Sequence, residues 1–184
     1  MGRSRKKSDD WLNEAVTLLE NGDYSGALSI LNKSLELNPM SADAWNNKGF
    51  VLDELGRSEE ALQRYDQVLK LRPDAAGAWN SRGLALCALD RFEEALQCYD
   101  QVLELRPDDA DAWNNMGAVL DELDRFEEAL QCYDRVLKLD PDDMAAWHNK
   151  SVTLDKLGRS EEAARCYSRA LELCAAGKLD YRQG

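Results

Sequence analysis

Residues 42–75 read ADAWNNKGFVLDELGRSEEALQRYDQVLKLRPDA, and closely similar stretches begin at residues 76 and 110. The register is kept by rare residues. Trp11, Trp45, Trp79, Trp113 and Trp147 stand 34 residues apart, and Pro39, Pro73, Pro107 and Pro141 keep the same step. A single globular core does not need a bulky residue at a fixed interval. A stack of like units does, because each unit presents the same group to the same pocket of its neighbour.

Within a unit the apolar spacing is helical twice over. Trp45, Gly49, Leu52 and Leu55 share one face at steps of three and four; after Gly56-Arg57, the residues Ala61, Leu62, Tyr65, Val68, Leu69 and Leu71 form a second face. The turn between the two segments is short, so they pair as an antiparallel hairpin. Gly22, Gly56 and Gly158 close the first helix of their hairpins, with Asp90 and Asp124 at the equivalent places. Asp90 with Glu93, and Asp124 with Glu127, have capping-box spacing for the second helix. Each proline ends a hairpin, and Asp74, Asp108 and Asp142, or their neighbours, cap the next. Gly49, Gly83 and Gly117 sit mid-helix, where glycine costs about 1 kcal/mol relative to alanine. Their presence implies that a second helix backbone approaches there, against Ala27, Ala61, Ala95, Ala129 and Ala163.

The fold class is therefore all-α: a right-handed α-solenoid of five antiparallel helical hairpins. The units are about 8–41, 42–75, 76–109, 110–143 and 144–177, one domain over 8–177, with a disordered basic leader at 1–7 and a tail at 178–184. Arg3-Ser-Arg-Lys-Lys7 also has the composition of a nuclear or anionic-surface signal. No apolar stretch follows it, so it is not a secretory signal, and no apolar run is long enough for a bilayer.

The net charge is −12, and the first eight residues carry four positive charges, so the remainder is more acidic still. That excludes a nucleic-acid backbone as the main partner. It suits a basic protein or peptide, and equally serves plain solubility. The five cysteines are an odd number, and Cys98, Cys132 and Cys166 again stand 34 apart. Equivalent positions on stacked helices lie about 10 Å apart, too far for a disulfide. They read as free thiols acting as small hydrophobes in a reducing, cytoplasmic compartment. With a single His and no C-x-x-C pair, nothing points to a metal or cofactor. The paired glutamates at 59–60, 93–94, 127–128 and 161–162 read as solvated faces, and no nucleophile or phosphate loop is present, so the chain reads as non-enzymatic.

The step of 34 and the pattern Trp-x₃-Gly-x₂-Leu followed by Ala, Tyr and Pro resemble the tetratricopeptide repeat, over roughly residues 8–177. The Ala-Trp-Asn-Asn-Lys-Gly phrasing at 44–49 resembles prokaryotic and archaeal arrays. The end units depart from the pattern: Ala15 and Leu31 in the first, Ser151 and Ala175 in the last. The resemblance implies that the first helix of each hairpin lines a concave groove that binds a protein or peptide. On the matching positions, the groove carries the amides Asn46, Asn47, Asn80, Asn114, Asn115 and Asn149, with His148 in the same column. The carboxylates Asp43, Asp53, Glu54, Asp111, Asp121, Glu122 and Asp155 flank them, and Phe50, Leu84, Ala118 and Val152 form an apolar strip. An amide both donates and accepts, so it pairs with an extended backbone of any sequence; the carboxylates favour Lys or Arg in the partner. Chaperone-binding relatives clamp an acidic C-terminal tail with Lys and Arg, but Leu12, Val16, Asn47, Gly77 and Ser81 occupy those places here, which argues against such a partner. The alternative is a self-associating module that stacks or dimerises through an uncapped C-terminal repeat, giving a homo-oligomer.

Overall fold

The structure is a computed structural model that describes residues 2–180, with side chains from 7 to 176. Among the described residues there are ten helices and no strand: α1 Gly2–Glu20, α2 Tyr24–Leu37, α3 Ala42–Glu54, α4 Ser58–Leu71, α5 Ala76–Cys87, α6 Phe92–Leu105, α7 Ala110–Glu122, α8 Phe126–Leu139, α9 Met144–Lys156 and α10 Ser160–Asp180. α1 begins at Gly2, where a leader was expected, and α10 runs past residue 177 to Asp180. Residues 181–184 of the expected tail lie outside the described residues.

The chain divides within α6, into a unit ending at Cys98 and a unit beginning at Tyr99. In the first, α1 packs on α2 and α3 on α4, while α2 meets α3 and α4 meets α5; in the second, α7 packs on α8, α8 on α9 and α9 on α10. The first helices also touch one another, α1 to α3 and α3 to α5 in one unit, α7 to α9 in the other. Ala44 joins Ala15, Ala27 and Leu31 in a buried cluster, and Val68 meets Ala78 across the next step. Leu130, Leu154, Ala163 and Cys166 form the corresponding core in the second unit.

Every first helix is closed by a left-handed residue: Gly22, Gly56 and Gly158 at φ 70–74°, Asp90 and Asp124 at φ 56° and 57°. The next amide then reaches back to a carbonyl five residues earlier, as in Arg57 N to Leu52 O at 2.8 Å and Arg125 N to Leu120 O at 2.8 Å, the Schellman closure. This corrects the capping-box reading. Asp90 and Asp124 end one helix rather than cap the next. The turn is filled instead by arginine forks on the glutamate three residues on: Arg57–Glu60, Arg91–Glu94, Arg125–Glu128 and Arg159–Glu162, at 2.6–2.8 Å. These pairs are exposed and contribute little to stability. Ser41, Asp109 and Asp143 cap α3, α7 and α9, accepting from the amides of Ala44, Ala112 and Ala146; α5 starts after Ala75 with no side-chain cap.

The mid-helix glycines have a different neighbour from the one the sequence implied. A Cβ at Gly49 would lie 2.5 Å from the Tyr65 ring, and one at Gly117 2.7 Å from the Tyr133 ring. The tyrosine of the same hairpin occupies the vacated space, not a helix backbone. The chain carries its own control. Where Ala15 replaces the glycine, Leu31 replaces the tyrosine and is fully buried; where Ser151 replaces it and the tyrosine is kept, Tyr167 is 48% exposed against 2% for Tyr133, with no described hairpin following to cover it. The tryptophans are half-buried, and from Trp45 on each indole Nε1 donates to a proline carbonyl six residues earlier: Trp45 to Pro39 at 2.8 Å, Trp79 to Pro73, Trp113 to Pro107 and Trp147 to Pro141 at 2.9 Å. All five cysteines are free thiols. Burial raises Cys98, Cys132 and Cys166 above the ordinary thiol range, Cys132 to about 12.

Gly117→Ala adds a methyl group where the Tyr133 ring lies, so overpacking outweighs the gain in helix propensity. It is expected to lower urea-unfolding stability by about 1–3 kcal/mol, and adding Tyr133→Leu, the pairing of the first hairpin, is expected to restore part of that loss. An unchanged midpoint for the single variant contradicts the packing described.

Candidate peptide groove

Each first helix carries a stripe at steps of four on its open face. In α3 it is Asn46, Phe50, Glu54; in α5 it is Asn80 and Leu84, followed by the C-cap Ala88; in α1 it is Leu12, Val16, Glu20. Phe50, Leu84 and Val16 are 45%, 48% and 37% exposed, so within the first unit an apolar row crosses three helices in one register. Val16 extends the strip anticipated at Phe50 and Leu84; counting 34 residues back from Phe50 finds it. In the second unit the stripes are Asn114, Ala118, Glu122 on α7 and His148, Val152, Lys156 on α9. Ala118 and Val152 are exposed.

The amides Asn46, Asn47, Asn80, Asn114, Asn115 and Asn149 are all half-buried, and His148 is exposed. One rung is closed: Asn149 Nδ2 donates to Asn114 Oδ1 at 3.1 Å, from α9 to α7. Asn80 and Asn115 are also engaged within the fold. His148 lies beside Tyr167, ring centroids 6.3 Å apart.

Three of the five expected aspartates have partners within the fold, Asp43 in an exposed ion pair. Arg72 forks onto Asp43 at 2.9 and 3.0 Å. Asp53 accepts the Tyr65 hydroxyl at 2.8 Å. Asp121 accepts the Thr153 hydroxyl at 2.9 Å and pairs with Lys156. Asp111 and Asp155 are exposed and have no hydrogen bond or ion pair from their side chains among the described residues. Sequence spacing places all five near the groove face, but whether a carboxylate is free depends on partners 12–35 residues away. Burial raises the Asp53 carboxyl above the usual carboxylate range, against the Tyr65 and Ser58 hydroxyls, which favour its charge. The Tyr65 hydroxyl is in turn driven far up by burial and by Asp53.

At the last hairpin, a hollow of about 420 Å³ lies between α9 and α10, lined by His148, Val152 and Asp155 with Ala163, Ala164 and Tyr167. Among the described residues no group of three or more His, Cys, Asp or Glu is placed to hold a metal ion, and no helix is long and apolar enough to cross a membrane.

Repeated hairpins of this register match the tetratricopeptide-repeat profile at residues 18–85, 74–142 and 108–176. The chain belongs to the tetratricopeptide-repeat family. Solved tetratricopeptide structures share its all-α solenoid fold. MamA (residue 41 to the end) from Desulfovibrio magneticus RS-1 superposes with a TM-score of 0.86 at 23% identity, over 92% of this chain and 96% of that one. PilF of Pseudomonas aeruginosa gives 0.81 at 22% identity, over 92% and 77%. YrrB, described as a TPR protein with an unusual peptide-binding site, gives 0.74 at 24% identity, over 89% and 84%. At these identities the likeness is one of fold. No curated protein matches the chain in sequence.

Because the folded state holds Asp53 with a raised pKa, it binds a proton more readily than the unfolded chain. That contribution to stability is present below the ordinary carboxylate pKa of about 4 and is lost as pH rises through the folded value. Asp53→Asn keeps an acceptor for Tyr65 and has no charge to bury. Glu60, Glu94, Glu128 and Glu162, held down by their arginine forks, shift the opposite way and are common to both proteins, so the readout is the difference: the urea midpoint of the variant minus that of the parent is expected to rise between about pH 3.5 and 7. Parallel profiles contradict this assignment.

Proposed function

We propose that the chain is a non-enzymatic interaction scaffold that holds a peptide or partner protein against the open face of its first helices. The observation that carries this reading is the row Val16, Phe50, Leu84, large apolar side chains left 37–48% exposed in register on three adjacent helices. Repeated exposure of that kind marks a contact surface. Amides beside the row supply hydrogen bonds to a backbone of any sequence. The acidic balance of the chain favours a basic, extended partner over nucleic acid or an acidic tail. The peptide-binding site named for YrrB accords with the reading. Five free thiols suit a reducing compartment such as the cytoplasm.

The test is a peptide selected against the full chain from a random display library, then titrated. Asn46→Ala with Asn47→Ala is expected to weaken its binding at least tenfold with helical circular dichroism unchanged, and binding to the parent to weaken as salt rises. Affinity that survives the double change removes the amides from the function.

A second reading, self-association through the last hairpin, is favoured by a separate observation: Tyr167, which lines the α9–α10 hollow, is 48% exposed, and Leu171, one turn further along α10, is 52% exposed. Sedimentation velocity over a hundredfold range of concentration is expected to show a rising sedimentation coefficient that Tyr167→Ser with Leu171→Ser abolishes. A single monomeric species throughout rejects it.

A further inference from the structure

We propose that the groove of the first unit takes a polyproline-II segment with an apolar side chain at every third position and Lys or Arg at one of the two intervening positions. The proposal rests on the groove reading above and deepens it. The stripes on α1, α3 and α5 form rows that cross the helices: Leu12 and the amides Asn46 and Asn80, of which Asn80 is engaged within the fold; apolar side chains at Val16, Phe50 and Leu84; and acids at Glu20 and Glu54. A ligand that follows the apolar row must repeat at the spacing of the helices. α1 meets α3 and α3 meets α5 at a few positions, each packing mainly on the second helices between them, and the packed-helix distance of about 8–10 Å is taken as the step of the row.

Three regular backbones can be compared with that spacing. A polyproline-II helix rises about 3.1 Å per residue with three residues per turn, so it returns to the same face every ~9.3 Å. A β-strand covers about 10 Å in three residues, but its side chains alternate, so the third residue on points away from the row. An α-helix returns to the same face after seven residues, about 10.5 Å on, but its backbone groups are already paired. Asn46 and Asn47 then have nothing to bond. The polyproline-II backbone has no internal hydrogen bonds and offers its carbonyls to those amides. Of the three, only this backbone meets both the apolar spacing and the amide row.

The charge on the other side of the row fixes the remaining phase. Glu20 and Glu54 are exposed at the C-terminal ends of α1 and α3, where the helix dipole adds negative partial charge. The last turns of α1, α3 and α5 contain no basic residue. The Tyr24 hydroxyl contacts Glu54 without neutralising it. In a threefold ligand helix, one residue of each turn enters the apolar row and one faces these acids, which selects Lys or Arg there. The third position faces the amide side or solvent and accepts proline. On α5 the C-cap Ala88 stands at the place of these acids, so the basic side chains count most over α1 and α3.

The test uses the full chain and three fluorescein-labelled peptides of equal length and net charge: a Leu-Pro-Lys triplet repeat, a strand former that alternates Leu with Lys or Thr to the same number of Lys, and a stapled helix with Leu at seven-residue spacing. Fluorescence anisotropy is expected to give a Kd for the triplet repeat at least tenfold below the other two. Phe50→Ser is expected to raise that Kd at least tenfold. Glu54→Gln is expected to raise it less and to reduce its salt dependence. If the strand former or the stapled helix binds as tightly or more tightly, and Phe50→Ser weakens that binding, the groove reading stands and the polyproline-II proposal is overturned. If no peptide responds to Phe50→Ser, the groove reading in this unit falls and the proposal with it.

Discussion

The hairpin depends on one contact, a tyrosine ring lying where a glycine has no side chain. Tyr65 over Gly49 and Tyr133 over Gly117 bring the two helices of a hairpin together at one register. With the ring buried there, the second helix covers one side of the first and leaves the opposite stripe in water. The groove face is therefore a consequence of how the hairpin closes. In the last hairpin Ser151 brings a Cβ to the glycine position, and Tyr167, which among the described residues has no following hairpin to cover it, is half-exposed and lines the hollow between α9 and α10.

A second constraint carries the register from one hairpin to the next. The indole of each tryptophan from Trp45 on is bonded to the carbonyl of the proline in the preceding link. The pairing explains why the two residue types share a 34-residue step: proline ends one helix, and its carbonyl anchors the next. The polar stitches along the same joints are weaker. Arg82 reaches Asp66 at 2.9 Å and Lys150 reaches Asp134 at 2.5 Å, but these are partly exposed pairs of the kind worth at most about 1 kcal/mol. They favour the observed register while the buried aromatic and aliphatic contacts hold it.

Periodicity made the helices, their antiparallel pairing and the left-handed turns legible, because those follow from which face a residue occupies and from steric limits on φ. It did not identify the glycine's neighbour, since a 34-residue count orders faces but not side-chain directions. It misassigned Asp90 and Asp124 for a related reason. Aspartate serves both as a helix cap and as a tolerated left-handed residue, and only backbone geometry separates the two uses. The candidate site divides in the same way. The apolar row at Phe50 and Leu84 and the amides beside it lie where the repeat puts them. Asp43, Asp53 and Asp121 also lie near that face, but Arg72, Tyr65, and Thr153 with Lys156 hold them. Those pairings bridge separate elements and leave no local mark in the sequence.

The acids near the open face differ between the two units. In the first, Asp43 is exposed but paired with Arg72 and Asp53 holds Tyr65, while Glu20 and Glu54 are exposed one turn beyond Val16 and Phe50. In the second, Asp111 and Asp155 are exposed with no side-chain partner among the described residues. The second unit also treats the position of Glu20 and Glu54 differently. Glu122 ends the stripe on α7, but Lys156 ends it on α9 and is itself turned to Asp121. The stripes of near-identical repeats thus end in different chemistry: acids on α1, α3 and α7, and on α9 a lysine already paired with Asp121. That difference arises because Lys156 stands where the other repeats have Glu or Ala and, with Thr153, turns Asp121 inward.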